Sequence, residues 1–194
     1  MKIKLLSGIF SFLFLILIFA GSWLKINFVS LQNPKNFPVQ SVSAQTKIAE
    51  PKELIIPKIG VDAQIDSVGL DESNNQPVPS TINHVSWYNL GARPGEIGSA
   101  VLAGHNVWTY GPAVFYRLTG LTVGDKIQII NADNKTLNFV VYEINVYDRD
   151  KFPIEKVYTA SDREHLNLIT CTGQYDKAVH DYRQRLVVFA VLEP

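Results

Sequence analysis

Two residue types that act together in covalent catalysis stand where the sequence pattern predicts that strands open onto loops. Cys171, the only cysteine, follows the apolar run 168–170, and His105 follows Gly104 and the apolar run 101–103. A thiol has an ordinary pKa of about 8.5, so it becomes a nucleophile at neutral pH only beside a base or a cation. The pair therefore indicates nucleophilic acyl transfer.

Acyl transfer also needs a group that stabilises negative charge on the carbonyl oxygen. Arg183 and Arg185 are two positions apart on the last predicted strand. Because side chains alternate across a strand, both are expected to project from the same face. Either arginine is a candidate, although a solvated strand edge would have the same pattern.

The other three histidines are weaker candidates for the base. His84 lies in a polar loop, His165 precedes Cys171 by six positions on one strand, and His180 lies in the segment that follows. A buried, inert thiol and a surface histidine remain the alternatives for Cys171 and His105. These patterns by themselves leave an enzyme and a binding domain open.

Most of the chain has the β-branched and aromatic enrichment of strands. The predicted strands are residues 53–57, 63–67, 99–104, 126–131, 136–147, 165–170 and 183–192. Helical signals are weak: residues 112–118 allow one or two turns, and residues 161–164 resemble a capping box. Many short strands predict an all-β domain, either a closed barrel or a sandwich.

The first part of the chain has a different composition. Residues 5–24 are twenty positions without a charge, and they follow Lys2 and Lys4. This predicts a membrane-spanning helix with residues 1–4 in the cytoplasm and the rest outside. Residues 25–52, rich in Asn, Gln, Ser, Pro and Lys, are predicted to be an extracytoplasmic linker to a domain at 53–194. A cleaved signal peptide is the alternative.

Charge and cysteine content exclude other classes. The chain has 18 Lys+Arg and 18 Asp+Glu, which argues against a nucleic-acid-binding protein. A single cysteine excludes an intramolecular disulfide framework and a Cys-rich zinc site. The acidic residues form no recognisable calcium loop, so we expect neither a metal nor an organic cofactor.

Five stretches resemble the motifs of the sortases, the membrane-anchored cysteine transpeptidases of bacterial surfaces. They occur in the family's order and spacing: IIPKIGV at 55–61, the histidine loop at 94–105, the stretch at 115–127, LITC at 168–171 and RLVVFA at 185–190. The resemblance covers residues 53–194, and the preceding anchor and linker fit the same family.

The resemblance implies an eight-stranded closed barrel with Cys171 as nucleophile and His105 as general acid and base. Thr170 would help to shape the oxyanion site. The general family pattern puts the stabilising arginine at Arg185, which we favour, whereas a branch with a Tyr-Arg-x-Asn pattern would put it at Arg183. Asn167 stands where the motif usually has threonine, which puts the subclass in doubt; the nearest types are classes D, E and F.

The reaction implied by the resemblance has two halves. Cys171 attacks the Thr–Gly carbonyl of a Leu-Pro-x-Thr-Gly-like (LPxTG-like) sorting signal, and His105 protonates the leaving amine. An amine from a peptidoglycan precursor or a pilin lysine then takes the acyl group. The implied partners are surface proteins with C-terminal sorting signals, and the implied location is the bacterial plasma membrane.

Three alternatives are open. An L,D-transpeptidase-like enzyme would normally show a Ser-x-Gly-Cys run, which Ile169, Thr170 and Cys171 do not match. A cysteine hydrolase on the same barrel would differ only in whether an added amine captures the acyl group. A noncatalytic anchored binding domain would tolerate the loss of His105 or Cys171, yet both are present.

Overall fold

The computed structural model describes residues 47–109, 111–160 and 162–194. The predicted cytoplasmic segment 1–4, the predicted anchor 5–24 and most of the predicted linker 25–52 lie outside these residues. Among the residues described, no helix has both the length and the apolar character needed to cross a bilayer.

Eight strands close into a barrel. They are β1 (Pro51–Ile56), β2 (Val61–Val68), β3 (Val85–Tyr88), β4 (Gly98–Ala103), β7 (Lys126–Asn131), β8 (Thr136–Asp148), β9 (Glu164–Asp176) and β10 (Asp181–Leu192). Their order around the barrel is β1-β2-β3-β4-β9-β10-β8-β7. Neighbours are antiparallel except for β2–β3 and β4–β9, which are parallel. The predicted eight-stranded all-β barrel is confirmed, and the sandwich is excluded.

The remaining elements are short. Strands β5 (Val107–Trp108) and β6 (Gly111–Pro112) pair with each other outside the barrel. Helix α1 (Ile154–Tyr158) lies between β8 and β9. The described residues also form one-turn 3-10 helices at Pro57–Ile59, Leu118–Gly120 and Arg149–Lys151.

Two predictions about strands need correction. Strand β3 is absent from the predicted set because its four residues are too few to show a period. Strand β9 continues to Asp176 instead of ending at residue 170, so Cys171 lies inside a strand. Residues 172–176 pair with β10 in an arm that is mostly exposed, and they therefore lack the apolar alternation on which the prediction depended.

Two helical predictions are also wrong. The capping-box pattern at 161–164 starts no helix, because Glu164 is the first residue of β9 and pairs beside β4. Pro112 ends β6, residues 114–117 form turns, and the 3-10 helix there begins only at Leu118. In both places tertiary contacts outweigh a weak local helical preference.

The barrel has an inner and an outer apolar cluster. Alternate residues of β9 and β10, such as Leu168 and Leu186, fill the interior. The residues between them face outward and pack with Val157 of α1. Members of this outer cluster on the strands are Val101, Ile169, Val187 and Phe189. Cys171 follows Ile169 by two positions and therefore belongs to the outer face.

Asn167, the departure from the family motif, fastens α1 to this face. Its Nδ2 donates a hydrogen bond to the carbonyl oxygen of Val157 at 2.6 Å, and the residue is buried. Its Oδ1 has no partner among the described residues. The amide thus provides a donor that reaches the last turn of α1, where the outer cluster is covered.

Gly104 lies between the end of β4 at Ala103 and His105, and it has no room for a side chain. A Cβ atom at this position would lie 2.8 Å from Phe115 Cδ2 and 2.8 Å from Val114 Cγ1. Phe115 is fully buried in the inner cluster and cannot move away freely. The absence of a side chain at Gly104 therefore lets its backbone approach Phe115 and Val114 closely.

We expect Gly104→Ala to lower the free energy of unfolding by about 1–3 kcal/mol, because the added methyl group overpacks Phe115 and Val114. Gly120→Ala is the matched control, since its Cβ would meet Ile59 Cγ2 at an ordinary 3.5 Å. Urea denaturation measures both variants. Equal denaturation midpoints for the two would contradict the prediction.

Candidate active site

Three adjacent strands bring the sequence-predicted residues to one side of the barrel. In the parallel β4–β9 pair Ala103 lies opposite Ile169, and His105 and Cys171 each follow these partners by two positions. In the antiparallel β9–β10 pair Arg185 lies directly opposite Cys171. All three side chains line one groove with a volume of about 1060 Å³.

The groove crosses the outer face beyond the outer apolar cluster. Its walls come from the β2–β3 connection, the segment between β8 and β9, and the β9–β10 hairpin. Residues that represent these walls are Leu70, Gln76, Val78, Phe152, Ile154, Tyr158, Tyr175 and Tyr182. Several of its aliphatic side chains, Leu70, Val78, Leu90 and Ile154, are exposed. An open, largely apolar trough of this kind fits an extended peptide.

Opposing influences act on the Cys171 thiol. Burial raises its pKa, the guanidinium of Arg185 lowers it, and the carboxylate of Asp181 raises it again. The net direction is upward, because burial is the largest cause. At neutral pH the thiol is therefore mostly protonated, so reaction at its sulfur requires a group that accepts the proton.

His105 is half-buried beside the nucleophile strand. Its Nε2 lies 3.1 Å from the carbonyl oxygen of Pro79, and its ring meets Trp108 edge to face with centroids 4.7 Å apart. A carbonyl oxygen can only accept, so Nε2 carries the hydrogen of this bond. Nδ1 is then the nitrogen that remains for proton exchange in the groove.

Hydrogen bonds to backbone carbonyl oxygens hold the segment with His105 against the part of β9 that contains Cys171. The hydroxyl of Thr170 donates to the carbonyl oxygen of Gly104 at 2.8 Å, and the Gly104 amide donates to Ile169 O at 3.1 Å. Asn106 Nδ2 donates to the carbonyl oxygen of Cys171 at 3.0 Å. Thr170 and Asn106 therefore hold the segment after β4 in register with β9.

The two candidate arginines have different environments. Arg185 lines the groove with a side chain that is 20% exposed, and its Nη2 lies 2.6 Å from Asp181 Oδ2. Arg183 is 59% exposed, pairs with Asp176 at 3.4 Å and does not line the groove. The prediction that both arginines project from the same face does not extend to the groove, because only Arg185 of the two lines it.

A bulge accounts for this difference. Gln184 pairs with Thr172 and Tyr182 with Tyr175, so β9 has one residue more than β10 between these two pairs. Gly173 adopts the left-handed conformation there, with φ 76°. The ladder is regular at Arg185 and irregular at Arg183.

The other histidines lie in three different settings. His84 pairs with Asp66, with 3.1 Å between Nδ1 and Oδ2. His165 is buried in β9, where its ring contacts Tyr142 and Asp162. His180 is exposed at the tip of the β9–β10 hairpin and lines the groove. In the described part of the chain, no three His, Cys, Asp or Glu side chains converge as metal ligands would.

Asn106 and Asp181 are site residues that the sequence-based reasoning missed. Asn106 directly follows His105, and Asp181 precedes Arg185 by four positions. Sequence proximity to the chemical groups was the available signal, but amides and carboxylates are frequent in loops. The contact between Asp181 and Arg185, four positions apart on β10, is visible only in the structure.

Comparison with known proteins agrees with this geometry. The family model of the sortase domain matches residues 54–193. No curated protein matches the chain significantly. Among solved structures, sortase C1 of Streptococcus agalactiae is 26% identical, with a TM-score of 0.58 and coverage of 75% of this chain and 70% of that one.

Two further structures share the fold. The sortase D5 transpeptidase of Clostridium perfringens is 24% identical, with a TM-score of 0.55 and coverage of 75% of this chain and 79% of its own. Sortase A of Corynebacterium diphtheriae is 22% identical, with a TM-score of 0.57 and coverage of 76% and 62%. These neighbours belong to different classes, and the resemblance to classes D, E and F stays a prediction. Since the family model spans most of the chain, this protein belongs to the sortases, a family of cysteine transpeptidases.

Proposed function

We propose that this sortase cuts an LPxTG-like sorting signal between Thr and Gly and transfers the new carboxyl end to an amine at the cell surface. The observation that carries the proposal is the register of β4, β9 and β10, which brings His105, Cys171 and Arg185 to one groove. The exposed aliphatic side chains that line the groove, such as Leu70 and Val78, suit the Leu-Pro part of such a signal.

In the first half of the reaction the sulfur of Cys171 bonds to the threonine carbonyl carbon, and the thiol proton moves to His105. The negative charge that develops on the carbonyl oxygen is stabilised by the guanidinium of Arg185. When the C–N bond breaks, His105 returns the proton to the leaving glycine amine. A thioester between Cys171 and the threonine carbonyl remains.

In the second half an amine attacks the thioester. Its nitrogen bonds to the carbonyl carbon, His105 takes a proton from the amine, and the sulfur leaves with a proton as the thiol. The acceptor is an amine of a peptidoglycan precursor or the lysine of a pilin. Water in the same place would release the free acid, which is the hydrolase alternative.

The raised pKa of Cys171 supports a requirement for His105. Because burial keeps the thiol protonated at neutral pH, attack depends on proton transfer to a base in the groove. The hydrogen bond from His105 Nε2 to Pro79 leaves Nδ1 for that transfer. The same burial keeps an isolated thiol outside the cytoplasm from reacting unselectively.

We further propose that residues 5–24 anchor the enzyme in the bacterial plasma membrane, with residues 25–52 as the tether and the barrel outside. The substrate is a surface protein with a C-terminal sorting signal. An anchored enzyme and a membrane-held substrate meet at a high effective concentration, which lowers the entropic cost of the encounter.

The decisive experiment is intact-mass analysis of the full chain in detergent after incubation with LPxTG-like peptides. We expect an acyl adduct on wild type and none on Cys171→Ala. His105→Ala should lower turnover by at least about 100-fold, since general acid and base catalysis contributes that much. Circular dichroism should show both variants folded, and near-wild-type turnover in either would contradict the assignment.

Adding a glycine amine separates the transferase from the hydrolase. A transpeptidase gives peptide joined to the amine at the threonine carbonyl, whereas a hydrolase gives only the free acid. The absence of adduct, cleavage and joined product with every peptide in the pool would favour a binding domain.

The two arginines provide a matched pair on one strand. Arg185→Ala should reduce turnover by about 100-fold, because it removes the donor for the oxyanion. Arg183→Ala should change turnover less than twofold, because its side chain is exposed and paired with Asp176 outside the groove. Steady-state kinetics with the same peptide measures both, and the reverse order would move the role to Arg183.

Thiol reactivity tests the electrostatics without a substrate. Arg185 lowers the pKa of Cys171, so Arg185→Ala should move the midpoint of the alkylation rate to higher pH. Iodoacetamide labelling between pH 6 and 11, followed by mass spectrometry, measures the midpoint. Arg183→Ala should leave it in place, and an unchanged midpoint in Arg185→Ala would contradict the contact.

A further inference from the structure

Asp181 is a carboxylate held on both sides beside the proposed oxyanion donor. Its Oδ1 accepts a hydrogen bond from its neighbour's backbone, Tyr182 N, at 2.7 Å. Its Oδ2 lies 2.6 Å from Arg185 Nη2 and 3.7 Å from Arg149 Nη1. Asp181 therefore joins the hairpin, the arginine opposite Cys171 and the segment after β8, and all of these residues line the groove.

The hydrogen bonds of Arg185 within the protein determine which of its N–H donors remain for a substrate. A guanidinium has five N–H donors. Nη1 donates to Tyr182 O at 2.9 Å and to Gln184 O at 3.1 Å, and Nη2 donates once to Asp181. Among the described residues these bonds use three donors. The Nε hydrogen and one Nη2 hydrogen remain without an acceptor among these residues.

We propose that Asp181 is a positioning residue, which holds the guanidinium of Arg185 so that its remaining Nε and Nη2 donors meet the oxyanion. This inference rests on the proposed function. The hydrogen bond from Tyr182 N already fixes the carboxylate of Asp181. Little further side-chain entropy is therefore lost when its Oδ2 pairs with Arg185. The two Nη1 bonds to carbonyl oxygens set the remaining orientation.

The same carboxylate acts on the thiol directly. Asp181 raises the pKa of Cys171 while Arg185 lowers it, so their effects on the pKa of the thiol partly cancel. The other charged or titratable groups around the groove are Tyr88 of β3, His105 after β4, Arg149 after β8, Tyr158 of α1, and Tyr175, His180 and Tyr182 at the hairpin. Asp181 thus orients the arginine for the oxyanion at the expense of thiolate formation.

Asp181→Asn is the informative substitution. The amide oxygen can keep the bond from Tyr182 N, while its NH₂ group can no longer accept from Arg185. We expect kcat to fall about tenfold with KM within about twofold, because the donor is misplaced only for the transition state. Asp176→Asn is the matched control, since it breaks the neighbouring hairpin ion pair with Arg183 outside the groove. Its kcat should stay within about twofold.

A double-mutant cycle separates positioning from a general structural effect. If Asp181 acts through Arg185, then Asp181→Asn should cost less than about twofold in kcat when Arg185→Ala is already present. A further tenfold loss in that background would overturn the inference. So would a kcat for Asp181→Asn equal to that of Asp176→Asn.

The alkylation midpoint of Cys171 provides the second readout, and it needs no transpeptidase activity. Asp181→Asn alone removes a negative charge, which lowers the pKa of the thiol, and releases Arg185, which raises it, so the test is the effect of Arg185→Ala in the two backgrounds. The upward shift caused by Arg185→Ala should be smaller in the Asp181→Asn background, since an arginine that is not held lies farther from the sulfur on average. An equal shift in both backgrounds would overturn the inference.

The two readouts distinguish the two possible failures. If wild type joins no peptide to an amine, the proposed function fails, and the cycle on the alkylation midpoint still decides whether Asp181 holds Arg185. If wild type is active but Asp181→Asn is as active as the control, only the inference fails. Slower turnover together with a smaller effect of Arg185→Ala on the midpoint in the Asp181→Asn background supports it, because general loosening of the fold would not act selectively on the contribution of Arg185.

Discussion

The hydrogen-bonded pairing of β4, β9 and β10 is the constraint on which the site depends. It sets Ala103 beside Ile169 and Arg185 beside Cys171. Because side chains alternate across a strand, a slip of one residue in either ladder would turn the cysteine or the arginine into the barrel interior. The inner residues of β9 and β10 prevent that slip, since their apolar side chains would be moved to the outer face.

The outer apolar cluster explains why chemistry is located on the outside of a closed barrel. A barrel of eight strands is filled by its own side chains and leaves no interior cavity for a peptide. Helix α1 covers Ile169 and Val187 but ends before Cys171, and Asn167 holds the helix in that position. The groove runs beside this cover, with Ile154 and Tyr158 of α1 in its wall, so Cys171 is partly desolvated and still accessible.

Sequence reasoning predicted much of this arrangement, because motif residues and alternating apolar strands leave clear local signals. Cys171, His105 and Arg185 were all identified, and the structure brings them to one groove. The length of β9 was underestimated because pairing with β10, rather than apolar alternation, maintains the strand beyond Cys171. The separate environments of Arg183 and Arg185 depend on a bulge at Gly173, where β9 and β10 pair irregularly. The contact of Asp181 with Arg185 joins residues four positions apart on β10, which a regular strand would hold well apart. A single strand's pattern contains neither feature.

The electrostatics of the groove favour proton transfer over a preformed ion pair. A guanidinium directly opposite the cysteine would by itself promote the thiolate, but burial and the carboxylate of Asp181 act in the opposite direction and prevail. Asp181 partly neutralises Arg185, and the arginine keeps two donors free while its charge at the sulfur is reduced. In the proposed mechanism such a site would stabilise charge that appears on the substrate oxygen more than charge on the resting thiol. That is the difference between transition-state and ground-state stabilisation on which the rate depends.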